Sequence, residues 1–355
     1  MALADRNGDL ARKSAESMSI PKYYGDWQEL ISDPEIEVIH NCTPNNLHFE
    51  INKFALKAGK PVVSEKPLGT TSRESLELLQ TANQLDVPNE VCFTYRMYPV
   101  IQQMKAMVEA GEVGRPWIVW GAYLQDWLWA ETDYNWKVNP VYSGPTRAMA
   151  DIGSHWCEIA QFVTGQNIIS VCADFGIFHP NRKVMYKGDQ KGQEQTWEEI
   201  PIKTEDYGAV LMHFSNVAMG TFSVSQVSAG RKNYIALEVN GSGGSIAWNQ
   251  EDPEKLWIGK RDTPNMFIMK NSNLFHEQAR QYCHYPVGHP EGYSTGFKNL
   301  FQAFYNNLRS SVHWTAHQPD FPTFWEGHRS MLVIDALLTS AKEHCWVDVD
   351  FGSLP

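Results

Sequence analysis

Apolar and polar positions follow two different periods along this chain, and the change falls near residue 115. Up to that point, short apolar runs alternate with helical patterns. "EVIHNC" (37–42), "PVVS" (61–64) and "NEVCFTY" (89–95) read as strands. Between them Leu47, Ile51, Phe54, Ala55 and Ala58 share one helix face, with Gly59 as the stop; Leu76, Leu79, Ala82 and Leu85 share another. Asp26 with Glu29, and Thr71 with Glu74, have capping-box spacing and start helices. Residues 1–4 read as the tail of a buried strand, followed by Asp5, Arg6 and a turn. Strands at this spacing, each followed by a helix, predict βαβ units on a parallel sheet.

Beyond residue 115 strict alternation takes over. "WIVWGAYLQDW", "GAVLMHFSNVAMGTFSVSQVS" and "YIALEVNGSGGSIAWN" predict an open antiparallel sheet with one buried face. Helices are expected at 151–163, 293–309 and 326–343, and the polar "KGDQKGQEQ" (187–195) reads as a solvated loop. The pattern divides the chain into a parallel-sheet domain over 1–97 and an α+β domain over 98–355. The helices 293–309 and 326–343 are candidates for packing back on the first domain.

Composition narrows the function classes. A length of 355 residues suits two domains, and 43% hydrophobic with 20% charged residues is ordinary for a globular protein. A formal charge of −11 argues against nucleic acid or an anionic membrane surface as partner. No apolar run approaches the ~18 residues that span a bilayer. The six cysteines show no C-x-x-C spacing, which suits reduced thiols and a cytoplasmic location.

Three stretches carry chemistry. In "VVSEKPLGT" (62–70), Glu65, Lys66 and Pro67 follow the carboxyl end of a strand, the rim where open α/β sheets bind ligands. Pro67 holds Lys66 extended and so aims its ammonium. In "ADIGSHWCEIAQFVTG" (150–165), Asp151 and His155 stand four apart on one helix face, where a carboxylate steadies an imidazole that takes a proton. Gly153 inside that helix costs ~1 kcal/mol relative to Ala, which points to a close approach to its backbone. In "NCTPNNLHFE" (41–50), Thr43 and Pro44 turn the chain into a helix whose N-terminus suits an anionic or polar group. Each also has an ordinary reading: a turn lysine, a surface Asp–His pair, a capped βα turn. No ligand cluster accompanies His155 and Glu158, so no metal site is expected. An Asp placed as Asp5 is, in dinucleotide-binding domains, about 20 residues past a glycine-rich loop, and no such loop precedes it here.

Together "ALADRN", "NCTPNNLH", "SEKPLG", "FTYRMYP", "GEVG", "DIGSH" and "GHRSMLVIDALLTSA" resemble the Gfo/Idh/MocA family of nicotinamide-dependent oxidoreductases. E-K-P followed about 85 residues later by D-x-x-x-H is a specific combination. The resemblance implies a Rossmann-type domain lacking its first βα unit and glycine-rich loop, then an open antiparallel-sheet domain. A gene start called too late, at an internal Met, a longer true chain and a natural truncation all remain open for that loop. It implies NAD as cofactor, with NADP possible through Arg6 beside Asp5 at the ribose.

Thr43, Pro44, Asn45, His48, Glu65, Lys66 and Arg96 would line the cofactor, as would Trp136 and Lys137, which match a Trp-Arg pair of some relatives. Lys66, Asp151 and His155 would be catalytic, with Tyr95 and Trp127 beside them at the substrate. Trp127, Trp129 and Trp136 with Asp126 and Asp133 suit a polyhydroxylated ring, and equally a core or an interface between copies; His289 and Glu291 lie in a loop that could border the pocket, but an ordinary loop is the favoured reading there. The implied reaction moves hydride between a sugar- or cyclitol-type alcohol or ketone and nicotinamide, with His155 as base. An NAD-dependent glycosidase and a non-catalytic nucleotide sensor are the alternatives. A homodimer or homotetramer through the sheet is also implied.

Overall fold

A computed structural model describes residues 1–186, 196–310 and 319–352. The expected loop at 187–195 lies outside them. The chain divides into two compact units: residues 1–92 with 303–328, and residues 93–302 with 329–355. The first segment thus ends five residues before the expected boundary, and 303–328 belongs with it.

In the first unit, β1 (Ala2–Ala4), α1 (Gly8–Ser17), β2 (Lys22–Tyr24), α2 (Trp27–Ser32), β3 (Ile39–Asn41), α3 (Asn45–Lys57), β4 (Val62–Ser64), α4 (Ser72–Leu85) and β5 (Asn89–Val91) alternate as expected. All pairing is parallel, but it falls into two sheets, β1–β2 and β3–β4–β5. Helix starts follow local chemistry: Asn7 accepts from Leu10 N, Asp26 from Gln28 N and Thr71 from Glu74 N. The Glu74 carboxylate reaches back to Thr70 N at 2.7 Å, one residue earlier than the capping box requires. The expected strand 89–95 stops at Val91, and Thr94–Met97 forms a 3-10 turn. Val91 N donates to Pro322 O, and Asn89 Oδ1 accepts from Phe324 N, so the returning segment is sewn to β5.

The second unit holds α5 (Pro99–Glu109), β6 (Pro116–Leu124), α6 (Pro140–Ser143), α7 (Ser154–Thr164), β7 (Ile168–Gly176), a hairpin of β8 (Asn181–Tyr186) and β9 (Thr196–Pro201), β10 (Tyr207–Phe214) and β11 (Met219–Ser225). There follow β12 (Tyr234–Gly241), β13 (Gly244–Asn249), β14 (Lys255–Gly259), β15 (Met266–Met269), α8 (Glu277–Arg280) and, after the long helices α9 (Tyr293–Arg309) and α10 (Phe324–Glu343), β16 (Val347–Asp348). Nine strands form one sheet in the order β15-β14-β13-β12-β6-β11-β10-β7-β16.

It is mixed rather than purely antiparallel, because β6 and β11 run parallel at its centre. The chain leaves β6 through α7 before the β7–β10–β11 meander, and a crossover of that length permits a parallel neighbour. Alternation cannot reveal this, since both kinds of neighbour alternate when one face is open.

Val119, Val171, Val210, Phe222 and Val239 from the sheet pack with Ile101, Met104, Ile159, Val163 and Leu337 in one core. Trp156 stacks on Phe222 with centroids 4.4 Å apart and donates Nε1–H to Ala236 O at 2.8 Å. That approach runs past Gly121, where a Cβ would fall 1.9 Å from the same carbonyl oxygen.

Candidate active site

Parallel pairing places the ends of β3, β4 and β5 on one rim, with Glu65 N bonded to Asn41 O and Cys92 N to Ser64 O. A buried polar chain supports it. Thr43 Oγ1 donates to Asn41 Oδ1 (2.7 Å), Asn41 Nδ2 to Asn52 Oδ1 (2.8 Å), Asn52 Nδ2 to Ser64 Oγ (2.8 Å), and Ser64 Oγ to Glu65 O (2.9 Å). Asn41, Asn52 and Ser64 are 2%, 0% and 0% exposed, a degree of burial that such groups tolerate only when bonded. None of the three is among the residues expected from the sequence; their signal there is polar residues at strand ends and on an otherwise apolar helix face.

His48 is the rim's second brace. Its Nδ1 lies 2.7 Å from Pro67 O and its Nε2 2.8 Å from Thr43 O, so the ring bridges the loop after β4 to the turn before α3. Two carbonyls favour the doubly protonated ring, yet burial dominates and lowers its pKa. Glu65 and Lys66 are half-buried on the loop so braced, and the Lys66–Pro67 peptide is cis.

Two features of this unit fit an NAD molecule. Asp5 stands just past β1 with Oδ1 held by Asn7 N at 2.8 Å, beside an exposed Arg6. The first turn of α3 has no side-chain cap from Pro44 and no acidic residue, which favours an anionic or polar group there.

In the second unit the expected helix at 151–163 begins earlier, as a π-helical turn over Met149–Gly153, with Ser154 N bonded to Met149 O. Turns of this kind recur at functional sites. The group crowding Gly153 is the Met149 sulfur, 2.5 Å from where a Cβ would lie. Asp151 Oδ1 accepts from Lys137 Nζ at 2.6 Å and Oδ2 from Gln226 Nε2 at 3.1 Å.

The His155 ring stands edge-on to Tyr95 (centroids 4.9 Å) and Phe93 (5.8 Å), with Tyr123 at 6.3 Å. The Tyr95 and Tyr123 hydroxyls are 2.7 Å apart, Asn233 bonds both, and Gln125 donates to Asn233 Oδ1 at 3.2 Å. Burial holds the Tyr123 hydroxyl protonated well above its ordinary range. Tyr123, Gln125, Gln226 and Asn233 were not among the expected site residues, because nothing local marks an inward-facing polar residue in a strand or just outside its ends.

The remaining candidate residues are placed as follows. Arg96 is buried and bonded to Glu158 at 2.6 Å. Trp127, Trp129 and Trp136 are exposed. Asp126 accepts from Lys232 and Gly230 N, and Asp133 from Ala130 N. Glu291 is buried against Lys270 (2.7 Å) and the amides of His284 and Tyr285, so its carboxylate is structural. Among the described residues no group of three His, Cys, Asp or Glu side chains is arranged to hold a metal ion.

Comparison with known proteins decides the family. Residues 1–93 match the model of an oxidoreductase family with an NAD-binding Rossmann fold, and residues 101–247 match the GFO/IDH/MocA C-terminal domain. The chain belongs to the GFO/IDH/MocA oxidoreductases. The levoglucosan dehydrogenase of Pseudarthrobacter phenanthrenivorans is 28% identical over 357 residues, covering 98% of this chain and 88% of the relative.

A solved levoglucosan dehydrogenase in complex with NADH and levoglucosan superposes with a TM-score of 0.87 at 27% identity, over 98% of this chain and 89% of that one. An oxidoreductase domain protein from Kribbella flavida gives 0.87 at 27%, over 98% and 90%. The GFO/IDH/MocA assignment makes this chain an oxidoreductase whose first unit is an NAD-binding Rossmann domain followed by a mixed-sheet domain.

Proposed function

We propose that this oxidoreductase interconverts a secondary alcohol and ketone of a neutral sugar or cyclitol, with His155 as the base that takes the hydroxyl proton. The observation that carries the reading is the His155 ring on α7 set against Tyr95 of the 3-10 turn and Tyr123 of β6, with Asp151 four residues before it in the π-helical turn, in a chain similar over 98% of its length to a levoglucosan dehydrogenase. Asp5, Thr43, Pro44, Asn45 and Glu65 would hold NAD, which when bound supplies the hydride acceptor. His48 holds the rim in shape, and Lys66 would stabilise negative charge developing on the substrate oxygen.

Asp151 would orient a neighbouring hydroxyl and favour the imidazolium that His155 becomes. Six cysteines, all unpaired, support the cytoplasm as its compartment. Among the described residues no helix is long and apolar enough to cross a membrane. The outer face of the sheet, with Trp120, Leu211, Met219 and Phe267 exposed, supports a homo-oligomer built through it.

A panel of sugars, cyclitols and aryl glycosides, followed by absorbance of the reduced cofactor, tests the reading. Net NAD reduction is expected, lost in His155→Ala while NADH binding persists. Aglycone release without net reduction would instead mark a glycosidase, and silence across the panel with intact NADH binding a sensor.

A further inference from the structure

We propose that Lys137 is a positioning residue of the alcohol site, fixing the Asp151 carboxylate together with the Gln226 amide, rather than a contact to the cofactor. The inference deepens the dehydrogenase reading and rests on it for the role of Asp151.

Lys137 sits in a 3-10 turn (Trp136–Val138) whose geometry is set locally. Asn135 Oδ1 accepts from Lys137 N at 2.9 Å, and buried Val138 anchors the turn in a small cluster with Leu128 and Ile202. From there Nζ reaches Asp151 Oδ1 at 2.6 Å, with the Trp136 ring centroid 5.7 Å away. Gln226 is pinned as firmly: its N donates to Asp206 O and its O accepts from Leu128 N. The Gln226 Oε1 is buried and accepts no hydrogen bond from the described residues, so the amide's orientation follows from the Asp151 bond alone.

Two donors from two separate segments therefore grip one oxygen each. The groups around Asp151 include Lys137 from the 3-10 turn, Gln226 after β11 and Tyr123 from β6, whose hydroxyl it influences, with His155 four residues further along the chain. Of these, Lys137 brings a positive charge to the carboxylate. The Asp151 side chain is 11% exposed and that of Lys137 30%, so the ammonium keeps donors that a ligand can reach. An ammonium and a carboxylate together are neutral, which suits hydroxyls over a charged substituent. A planar guanidinium can replace the ammonium at a carboxylate; an apolar side chain cannot.

The test compares Lys137→Met and Lys137→Arg with the wild type in three measurements. In the ligand-free protein, the side-chain carboxyl carbon resonance of Asp151, assigned with Asp151→Asn, is expected to move in Lys137→Met and to return toward its place in Lys137→Arg. This readout needs no turnover. With a substrate from the panel, kcat in Lys137→Met should fall about 100-fold, the scale of a small misplacement at a reacting centre, and recover most of that in Lys137→Arg.

The third measurement is the NADH dissociation constant by fluorescence, expected to be unchanged. An Asp151 resonance unmoved in Lys137→Met overturns the proposal, and so does weakened NADH binding with kcat preserved. If the wild type reduces no NAD with any compound, the dehydrogenase reading fails, and the resonance still decides whether Lys137 fixes Asp151.

Discussion

Arg96 Nε donates to Glu158 Oε1 at 2.6 Å, joining the turn that carries Tyr95 to the helix that carries His155. The two side chains are 5% and 1% exposed, and the guanidinium also stands over Phe162, 4.4 Å from its centroid. Removing one partner strands a buried charge, so Arg96→Leu should cost about 3–5 kcal/mol in urea unfolding. The double variant Arg96→Leu/Glu158→Leu should recover most of that loss. If Arg96 acts first as a cofactor contact, NADH affinity would fall while stability held, the opposite ranking.

Glu90 on β5 is fully buried, and neither carboxyl oxygen has a hydrogen bond among the described residues. Burial raises its pKa well above the ordinary 4.5. The folded state therefore keeps a proton that the unfolded chain releases, and stability falls as pH rises above about 4.5 until the folded group itself ionises. Glu90→Met, similar in size and apolar, should unfold at higher temperature than the wild type near pH ~8, with the gap narrowing toward pH ~5. A constant gap across that range would remove Glu90 as the cause.

Gly121 is required by the hydrogen bond that crosses it. Its Cβ would meet Ala236 O at 1.9 Å and Trp156 Nε1 at 2.5 Å, and neither has room to retreat within the β6–β12 pair. Gly121→Ala should lose about 3 kcal/mol or more. Gly25→Ala, whose Cβ would meet nothing closer than 3.7 Å, should stay within about 0.5 kcal/mol.

The outer sheet face makes a prediction about assembly. Trp120 and Phe267 are 46% and 68% exposed on it, with Trp257 between them in the same shallow cleft. A Trp120→Glu/Phe267→Glu variant should show a reduced mass by light scattering and retain NADH binding. An unchanged mass would place the contacts between copies elsewhere.

Many local features around the candidate site were legible before the structure. Capping residues, the β3–α3 turn and the Asp151/His155 pair are short-range features, and local spacing determines them. Thr43, Glu65 and Lys66 follow strand ends and His155 lies in the helix, as expected, while Asp151 falls in the π-helical turn that precedes it. The parallel partner of β6 was not legible, because strand direction depends on a crossover rather than on alternation. Nor was the fate of Arg96, Lys137, Asp126 and Glu291, each bonded to a residue at least 14 positions away.

The sequence by itself determined the order of elements, their caps and which side chains were candidates for chemistry. Only the tertiary structure decided which of these are spent on holding the protein together. A buried charge must be matched by a partner, and that partner is chosen by which strands and turns meet, not by neighbours in the chain.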